Sequence, residues 1–425
     1  MDKRMQDIIW LIEDWISKLG NVNTDDVLRL QKYLEPAFAQ AGYRRKGAVR
    51  SILLVRLDAI GDMVLTSPFF REVRRNYPQA FITVVCSPLT KSLLEYCPYV
   101  NEVLAFDTRN YMVNFPYWFR SLLDFCKTHL WSRHYDVCLC PQWGGGKFET
   151  MFLAWLSGSC QRYAYCSGVE QIYLGNEWNL TVDDVCLTRY LLNPPEIVTE
   201  VERHLYLLQA VGGNVVDNKL EAWYSSTDAF QAERWLEQGR GEGKIIVALG
   251  IGASHETHKY PVTQWLPAMR ALMQKYPLCF ILLGSTDDKE AGKYLSDNCE
   301  SGQVFDFTGR TTLREAAAVL ERTDLFLGNN SSMLHLSTAV KTPVVGCYRE
   351  AMDKTFAYPE LHSECARFVP WSEQAIMLRP DHAAGACKNI EIYGGCKENY
   401  AHCISGITAE EIIAAVSLAI DTWVR

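Results

Sequence analysis

Short apolar runs alternate with segments of helical periodicity along most of this chain. Residues Ser51 to Val55 form a largely apolar run without interruption, which is typical of a parallel strand buried on both faces. A turn over Asp58 to Asp62 follows, and Met63 to Tyr77 has helical spacing. Further strands are predicted at 81–86, 103–106 and 137–140, and helices at 91–97, 118–130 and 202–211. This alternation indicates an open parallel sheet with helices on both sides.

The same alternation begins again near Lys244. Strands are predicted at 245–249, 278–283, 304–306, 325–327 and 344–347, and helices at 262–275, 287–298, 313–321 and 332–340. We therefore predict the α/β class with two Rossmann-like domains, at 49–225 and 226–407. The final segment, 408–425, begins with the capping pattern Thr408-Ala409-Glu410-Glu411. A last helix in this position of a two-lobed protein can return to brace the first domain.

Residues 1–48 are predicted to be an N-terminal helical extension, with two amphipathic helices at 5–19 and 24–41. The basic run Tyr43-Arg44-Arg45-Lys46 follows them. Two interpretations stay open: a helical hairpin with a solvated linker, or a surface that contacts an anionic membrane or another subunit.

Composition narrows the classes of function. Of the 425 residues, 48% are hydrophobic and 22% are charged, as in soluble globular proteins. The formal net charge of -8 argues against duplex nucleic acid as a partner. Glu13 and Asp14 interrupt the first apolar run, which argues against a signal peptide, and no apolar stretch is long enough to span a membrane. Without an export signal, the 15 cysteines indicate reduced thiols and a cytoplasmic protein.

Three loops at predicted strand ends carry side chains suited to chemistry, because ligands of open parallel sheets bind beyond the carboxyl ends of the strands. The first loop is Arg56-Leu57-Asp58-Ala59-Ile60-Gly61-Asp62. Gly61 permits a tight turn, and Asp62 falls at the start of the following helix. The carboxylate of Asp62 is either a general base for a sugar hydroxyl or a helix cap.

The second loop, residues 250–261, starts like a dinucleotide fingerprint but has His255 where the third glycine belongs. That difference disfavours a nicotinamide site. The lysine of this loop is either a point charge on a diphosphate or a solvated surface residue. The residues of the loop that suit a phosphate are Gly252, Ser254, Thr257 and Lys259.

The third loop opens an apolar helix with the small polar residues Asn330, Ser331 and Ser332. Such a start presents free backbone N–H groups and the positive end of the helix dipole. An anionic diphosphate fits this position, and simple helix capping is the alternative. His335 lies one helical turn after Ser331 and points either into the site or into packing.

In this order, the loops resemble glycosyltransferase family 9, the bacterial lipopolysaccharide heptosyltransferases. The resemblance covers roughly residues 50–350 and implies a GT-B fold, with two Rossmann-like domains whose parallel sheets face a central cleft. It also implies an inverting mechanism without a catalytic metal or other cofactor. The stretches that carry it are Ile52 to Pro68, Lys259-Tyr260-Pro261 with Trp265, Phe307 to Leu313, and Gly328 to His335.

The resemblance also implies roles for single residues. Asp62 matches the base that deprotonates the acceptor hydroxyl, and Lys259 matches the lysine that steadies the departing diphosphate. The remaining assignments are Arg56, Asp58 and Gly61 on the acceptor side, and Thr308 and Gly309 near the nucleotide.

The sequence departs from the family at Asn330 and Ser332, where the family usually has Asp and Gly. Asn keeps a carbonyl acceptor but loses the charge, so the donor is open between ADP-heptose, the first choice, and another nucleotide sugar. The acceptor is open among the lipopolysaccharide core, another surface glycan and a protein hydroxyl. Contact with the inner face of the cytoplasmic membrane and oligomerisation are further expectations about partners.

Cysteines concentrate in a glycine-rich stretch before the last helix, at Cys387, Cys396 and Cys403. The stretch loosely resembles the cysteine-ligated iron finger of heptosyltransferases that modify autotransporter proteins, and thiolates favour iron or zinc. The spacings are wide and contain no Cys-x-x-Cys pair, so a structural metal and ordinary reduced cysteines are both open. Candidates for a fourth ligand are Cys365, His382 and His402.

Two other functions compete with a transferase. One is a catalytically silent GT-B module that serves as a binding or scaffold subunit, and the change at Asn330 favours it. The other is a sugar-nucleotide epimerase on the same fold. Donor binding without turnover would indicate the first, and product formation without an acceptor would indicate the second.

Overall fold

The computed structural model describes residues 10, 27–29, 31–32, 34, 38, 47–109, 115–144, 148–169, 172, 177, 181–192, 194–237, 244–354, 363–384 and 400–424. The chain divides into two compact units. The first unit consists of Met1–Ala59 and Pro68–Asn218, and the second of Ile60–Ser67 and Lys219–Arg425.

A parallel sheet forms the centre of the first unit. Its described strands follow the order β3-β2-β1-β4-β5-β6. β1 lies between β2 and β4 and is buried along its whole length, which explains its unbroken apolar sequence. The strands are β1 (Ser51–Arg56), β2 (Phe81–Cys86), β3 (Glu102–Ala105), β4 (Val137–Cys140), β5 (Gln161–Tyr165) and β6 (Arg189–Leu191).

Helices follow the strands of this sheet in the chain, and one of them continues past its last α-helical turn. They are α1 (Ile60–Leu65), α2 (Ser67–Asn76), α3 (Lys91–Leu94), α4 (Phe115–Phe125), α5 (Phe148–Leu156), α6 (Val182–Val185) and α7 (Glu200–Ala210). A π-helical turn at Cys126–Leu130 and a 3₁₀ turn at Trp131–Arg133 extend α4.

Aromatic side chains fill much of the core of the first unit. Phe119 of α4 meets Phe152 of α5 edge to face, with ring centroids 5.5 Å apart. Trp118 and Trp155 are buried in the same cluster. Ring pairs of this geometry add to the stabilisation that comes from burying their area.

Part of the predicted N-terminal extension also packs into this core. The described residues from 27 to 38 are helical, and Val27, Leu34 and Phe38 are buried in the aromatic cluster. Phe38 meets Trp131 edge to face, with ring centroids 5.9 Å apart. The predicted helix at 5–19 lies outside the described residues except for Trp10, which is helical and exposed.

The second unit is built on a sheet of the same topology. Its described strands follow the order β12-β11-β10-β7-β8-β9. Counted from the first strand of each unit, both sheets have the order 3-2-1-4-5-6, which is that of the dinucleotide-binding Rossmann fold. The strands are β7 (Ile245–Gly250), β8 (Leu278–Leu283), β9 (Val304–Asp306), β10 (Leu325–Asn329), β11 (Val344–Cys347) and β12 (Ala375–Leu378).

Seven further helices are described in the second unit, together with short 3₁₀ turns at Glu256–His258, Thr286–Asp288 and Ile404–Gly406. The helices are α8 (Ser226–Leu236), α9 (Val262–Lys275), α10 (Lys289–Asp297), α11 (Leu313–Leu320), α12 (Ser332–Ala339), α13 (Glu364–Arg367) and α14 (Ala409–Ala419). None of the helices in the described part of the chain combines the length and apolar character needed to cross a bilayer.

The last helix, α14, belongs to the core of the second unit. Its buried residues Ile412 and Val416 lie in one apolar cluster with Met269 and Leu272 of α9. Thr408 caps the helix, accepting a hydrogen bond from Glu411 N at 3.2 Å, as its sequence predicts. The apolar face of α14 is packed against α9 of the second unit, and the bracing of the first domain by this helix stays a prediction.

The helix predicted at 63–77 is two helices in the structure. Thr66 separates α1 from α2, and its hydroxyl donates a hydrogen bond to the carbonyl oxygen of Asp62 at 2.7 Å. α1 belongs to the second unit, although β1, which precedes it, belongs to the first. A threonine hydroxyl competes for backbone acceptors in this way and interrupts helices.

Candidate active site

Polar side chains gather at the carboxyl edge of the second sheet, where β7, β8, β10 and β11 end. Asn329, the last residue of β10, is fully buried. Its Nδ2 donates a hydrogen bond to the carbonyl of Ile251 at 2.9 Å, and its Oδ1 accepts one from Tyr260 N at 2.9 Å. One side chain thus ties the end of β10 to both ends of the loop that follows β7.

Lys259 lies in that loop, next to Tyr260. Its ammonium is 2.7 Å from Glu256 Oε1 and 3.2 Å from Asp288 Oδ1, and the side chain is 23% exposed. Burial by itself lowers the pKa of this lysine, but the hydrogen bonds to Glu256 and Asp288 outweigh it and the pKa of Lys259 is raised. A fixed, fully charged ammonium is therefore present at the sheet edge.

Asp288 is a member of this site that the sequence analysis did not identify. It is buried, and its Oδ2 accepts hydrogen bonds from the backbone N and the hydroxyl of Ser285, both at 2.8 Å. A Cβ on Gly252 would overlap Asp288 Oδ2, and one on Gly284 would lie 2.9 Å from Asp288 Cβ. Gly252 was predicted as a donor-binding residue, and in the structure its missing side chain makes room for the carboxylate that holds Lys259.

The start of α12 carries two buried polar atoms that have no hydrogen-bond partner among the residues that the structure describes. They are the hydroxyl oxygen of Ser331 and Nδ1 of His335. The carbonyl of Ser331 accepts the first helical hydrogen bond, from Leu334 N at 3.1 Å, but its side chain does not cap the helix. Leaving a buried polar group unpaired costs roughly 1–3 kcal/mol, so this helix start has unused capacity to bind a polar ligand.

His335 is uncharged at neutral pH. Its side chain is 4% exposed, and burial lowers the pKa of its imidazole to about 4. A neutral imidazole presents one N–H donor and one acceptor.

α1 packs directly on α12, and both helices belong to the second unit. A Cβ on Gly61 would lie 3.2 Å from His335 Cδ2 and 3.8 Å from the Cα of Ser332. Gly61 therefore lets α1 approach the start of α12 closely. Asp62 is the next residue, half-buried in the first turn of α1, so the predicted base is carried on a helix that contacts the predicted donor loop.

Thr308 and Gly309 follow β9 and bond to the neighbouring strand ends. The hydroxyl of Thr308 donates to Asp306 Oδ1 at 2.7 Å, and Gly309 N donates to the carbonyl of Gly284 at 2.9 Å. Gly309 has a φ of +63° and faces Lys289 Cε and Thr286. Because the Thr308 hydroxyl donates its hydrogen bond to Asp306, the observed role of Thr308 is to stabilise this turn. Its contact with a nucleotide stays a prediction.

The other predicted donor residues are distributed along the same edge. Thr257 accepts a hydrogen bond from Arg349 Nη1 at 3.2 Å. Asn330 N donates to the carbonyl of Cys347 at 2.9 Å, while Ser254 is exposed and Ser332 opens α12. Arg349 and Glu364, the ion-pair partner of Arg349, were absent from the sequence prediction.

Arg56 and Asp58, predicted on the acceptor side, lie in the first unit. Arg56 is buried at the end of β1, and its Nη1 is 3.4 Å from Asp58 Oδ2. The carbonyl of Asp58 accepts a hydrogen bond from the Ser87 hydroxyl at 3.5 Å. The pair orders the loop after β1, and its role toward an acceptor stays a prediction.

Two of the three predicted metal ligands, Cys387 and Cys396, lie outside the described residues. Cys403 is buried, with its Sγ 3.1 Å from His402 Nδ1. His382 lies 3.3 Å from Asp353 Oδ2, and Cys365 N donates to Glu350 Oε2 at 3.4 Å. Among the residues that the structure describes, no group of three His, Cys, Asp or Glu side chains is arranged to hold a metal ion, and the site stays a prediction for the stretch around Cys387 and Cys396.

Comparison with known proteins shows which glycosyltransferases this chain resembles. Residues 187–394 match the sequence model of glycosyltransferase family 9 (heptosyltransferase). The chain is 24% identical over 368 residues to lipopolysaccharide heptosyltransferase 3 of Escherichia coli (strain K12), covering 84% of this chain and 94% of that one.

Two solved structures have the same fold. The glycosyl transferase family 9 protein from Veillonella parvula DSM 2008 superposes with a TM-score of 0.68 at 19% identity, over 88% of this chain and 98% of that chain. An E. coli heptosyltransferase with ADP-2-deoxy-2-fluoro heptose superposes with a TM-score of 0.59 at 14% identity, over 87% of this chain and 99% of that chain. The predicted α/β class and GT-B fold are confirmed. The chain is a glycosyltransferase, and its similarity to family 9 covers residues 187–394 in the family model and most of the chain in the E. coli relative.

Proposed function

We propose that the enzyme transfers heptose from ADP-heptose to a hydroxyl group of a surface glycan, the lipopolysaccharide core or a protein, with inversion at the anomeric carbon and without a catalytic metal. The choice of heptose is supported by the name of the E. coli relative, and the choice of ADP by the solved E. coli heptosyltransferase with ADP-2-deoxy-2-fluoro heptose. Asn330, at a position where a charge is usual in the family, leaves room for another nucleotide sugar. As the sequence predicts, the reaction would take place in the cytoplasm.

The observation that carries the proposal is the helix start at Ser331 and His335, with its two unpaired buried atoms. A diphosphate would supply the missing acceptors, taking hydrogen bonds from the Ser331 hydroxyl and from His335 in the tautomer that carries the proton on Nδ1. The backbone N–H groups at the start of α12 and the positive end of its dipole favour the same anion.

Lys259 would stabilise the leaving group. When the bond between the anomeric carbon and the diphosphate oxygen breaks, negative charge grows on the nucleoside diphosphate. Because Glu256 and Asp288 hold the ammonium in place, little reorganisation is needed when that charge appears, and preorganised charges of this kind lower the barrier most.

Asp62 would act as the general base. Its carboxylate takes the proton of the acceptor hydroxyl as the acceptor oxygen forms a bond to the anomeric carbon. The bond to the diphosphate breaks on the opposite face, and the electron pair leaves with the nucleoside diphosphate. A single displacement inverts the anomeric configuration, and the contact of α1 with α12 supports placing the base close to the donor.

Donor binding and transfer by the full chain, measured separately, test the proposal. We expect ADP-heptose to raise the melting temperature more than other nucleotide sugars do and transfer to yield the inverted anomer by NMR. Asp62→Asn should reduce kcat by about 10²- to 10⁴-fold, the contribution of a general base, with unchanged donor affinity. Asp297→Asn, at an exposed position of α10, is the matched control.

Three other results would each contradict a different part of the proposal. Full turnover by Asp62→Asn would remove Asp62 as the base. Donor binding without transfer to any acceptor would show a silent binding subunit, and conversion of the donor in the absence of acceptor would show an epimerase.

A further inference from the structure

An ion pair beyond β11 contacts the turn that carries Lys259. Arg349 follows β11, and Glu364 is the first residue of α13. Nε of Arg349 donates to Glu364 Oε1 at 2.9 Å, and Nη2 of Arg349 contacts the same oxygen. The guanidinium is planar and rigid, so this pairing fixes the direction of its remaining nitrogen.

That nitrogen reaches the turn. Nη1 of Arg349 donates to the hydroxyl of Thr257 at 3.2 Å, and Nε2 of His258 lies 3.6 Å from Glu364 Oε1. The two residues directly before Lys259 are therefore both contacted by the pair. On the other side, Asn329 holds Tyr260 N, so the backbone is fixed immediately before and after the lysine.

A second ion pair anchors the first on the sheet. Oε1 of Glu350 accepts hydrogen bonds from the Ser363 hydroxyl at 2.8 Å and from Arg379 Nη2 at 3.0 Å. Ser363 is the N-cap of α13, and Arg379 follows β12. Glu364 is thus held in place by the ends of two neighbouring strands.

Stability alone does not explain the Arg349–Glu364 pair. The Glu364 side chain is 8% exposed, and its Oε2 is buried without a hydrogen-bond partner in the described part of the chain. Buried ion pairs gain little net stability, because desolvation offsets their attraction, and an unpaired carboxylate oxygen adds to that cost. Burying the Arg349–Glu364 pair costs free energy, and the pair contacts the turn before Lys259. Its presence is therefore better explained by the geometry that it imposes on that turn.

We propose that Arg349 and Glu364 are positioning residues that fix the turn at Glu256–His258 and thereby the ammonium of Lys259. The inference rests on the proposed function insofar as Lys259 serves the reaction, but the position of the lysine can be measured without turnover. Neither residue needs to touch the substrate.

The first experiment measures Lys259 itself. In Arg349→Lys, Glu364→Gln and Thr257→Val, the turn loosens and the ammonium leaves Glu256 and Asp288. The pKa of Lys259 then falls, and a larger neutral fraction of the amine reacts faster with an acylating reagent, which peptide mass spectrometry follows. We expect labelling of Lys259 at least about threefold faster, since one pKa unit is tenfold in neutral amine, with labelling of Lys293 unchanged.

The second experiment measures catalysis. A small displacement of a catalytic group costs about 10- to 100-fold in rate, so kcat should fall by that factor in Arg349→Lys and Glu364→Gln while donor affinity is kept. Thr257→Val should lower kcat by a similar factor, and Thr257→Ser, which keeps the hydroxyl, should have the wild-type kcat. Arg314→Lys, in an ion pair with Asp228 in the same unit, is the matched control and should leave kcat unchanged.

A double-mutant cycle separates positioning from a general structural effect. In a Lys259→Ala background, Glu364→Gln should cost no further rate, because residues that act through one another are not additive. An undiminished loss in that background, or unchanged labelling of Lys259 in all three variants, would overturn the proposal. A loss of donor affinity in Thr257→Val with normal kcat would instead make Thr257 a donor contact. If the wild type transfers no sugar, the proposed function fails, and the labelling experiment still decides this inference.

Discussion

The carboxyl edges of the two sheets differ, although the sheets share one strand order. At the first edge the ion pair joins Arg56, at the end of β1, to Asp58 two residues on, and one hydrogen bond, from the Ser87 hydroxyl to the Asp58 carbonyl, reaches another loop. At the second edge the ion pairs and hydrogen bonds of Lys259, Asn329 and Arg349 link separate loops. The same backbone topology therefore carries two different polar arrangements, and the arrangement rather than the fold assigns a site its chemistry.

The difference has a physical origin in the glycines and small residues of the second edge. Gly252 and Gly284 leave space for Asp288 beside Lys259, and Gly61 leaves space for His335. Backbone that approaches this closely allows buried polar groups to reach across loops. If the chemistry depends on this edge, substitutions there should affect catalysis more than substitutions at the first edge.

The largest expected effect is on catalysis by Lys259. Lys259→Ala should reduce kcat by about 10²- to 10³-fold, the usual loss when one fixed donor to a developing anion is removed. Lys91→Ala, at an exposed position after β2 in the first unit, should leave kcat unchanged. Steady-state kinetics with ADP-heptose compares the two, and equal losses would contradict the contrast between the edges.

The next effect is steric. Gly252→Ala places a methyl group on Asp288 Oδ2 and should lower the free energy of unfolding by about 1–3 kcal/mol, as overpacking does. It should also lower kcat, because displaced Asp288 no longer holds Lys259. Urea denaturation and kinetics measure both, with Gly406→Ala as a milder control whose methyl would lie 3.1 Å from Pro380. A normal kcat in Gly252→Ala would mean that Asp288 is not needed to place the lysine.

His335 should make stability depend on pH. Burial lowers its pKa from 6.5 to about 4, so below pH 6.5 the unfolded chain binds a proton that the folded chain does not. Its contribution is therefore lost as pH falls, by about 2 kcal/mol between pH 7 and pH 5. His335→Gln should abolish this part of the dependence, whereas His129→Gln, at an exposed position, should not. Parallel unfolding curves of wild type and His335→Gln would contradict the burial of a neutral imidazole.

The smallest expected effect is on stability, and it concerns a helix cap that occurs in both units. Thr199 caps α7 in the first unit and Thr312 caps α11 in the second, each accepting a hydrogen bond at 3.2 Å from the backbone of a glutamate three residues on. Thr199→Ala and Thr312→Ala should each cost about 1 kcal/mol of unfolding free energy, and the serine variants should restore it. Clearly unequal losses would show that a cap depends on its unit.

Prediction from sequence succeeded for the strands that are most uniformly apolar. β2, β4, β8 and β11 have the predicted bounds, because strands in the interior of a parallel sheet are apolar along their length. It failed for α5, whose residues from Thr150 to Leu156 are all buried, since a helix surrounded by protein shows no amphipathic period. It also missed β5, which carries polar residues, and the short strands β6 and β12, which lie at sheet edges and are partly exposed.

For the candidate site, sequence identified Asp62, Lys259 and the loop before α12 by their resemblance to a family. It did not identify Asp288, Arg349 or Glu364. An acidic residue three positions after a serine is also the pattern of a helix cap, so Asp288 did not stand out. A single Arg or Glu without a motif around it gives no indication of a functional role. Asp288 does cap its turn, through Ser285, and the same carboxylate also holds Lys259. No local sequence pattern distinguishes a carboxylate that only caps a turn from one that caps a turn and also binds a lysine.

The sequence by itself determined two parallel α/β units, their buried strands and the polar loops at the strand ends, because hydrophobic periodicity and helix caps are local properties of the chain. Only the tertiary structure decided that α1 belongs to the second unit, that α14 is buried there, and which charges meet Lys259. Apart from the pair of Lys259 with Glu256, which are three positions apart, those features depend on pairings between residues about 30 to more than 250 positions apart in the chain. Such pairings are determined by packing and desolvation over the whole unit.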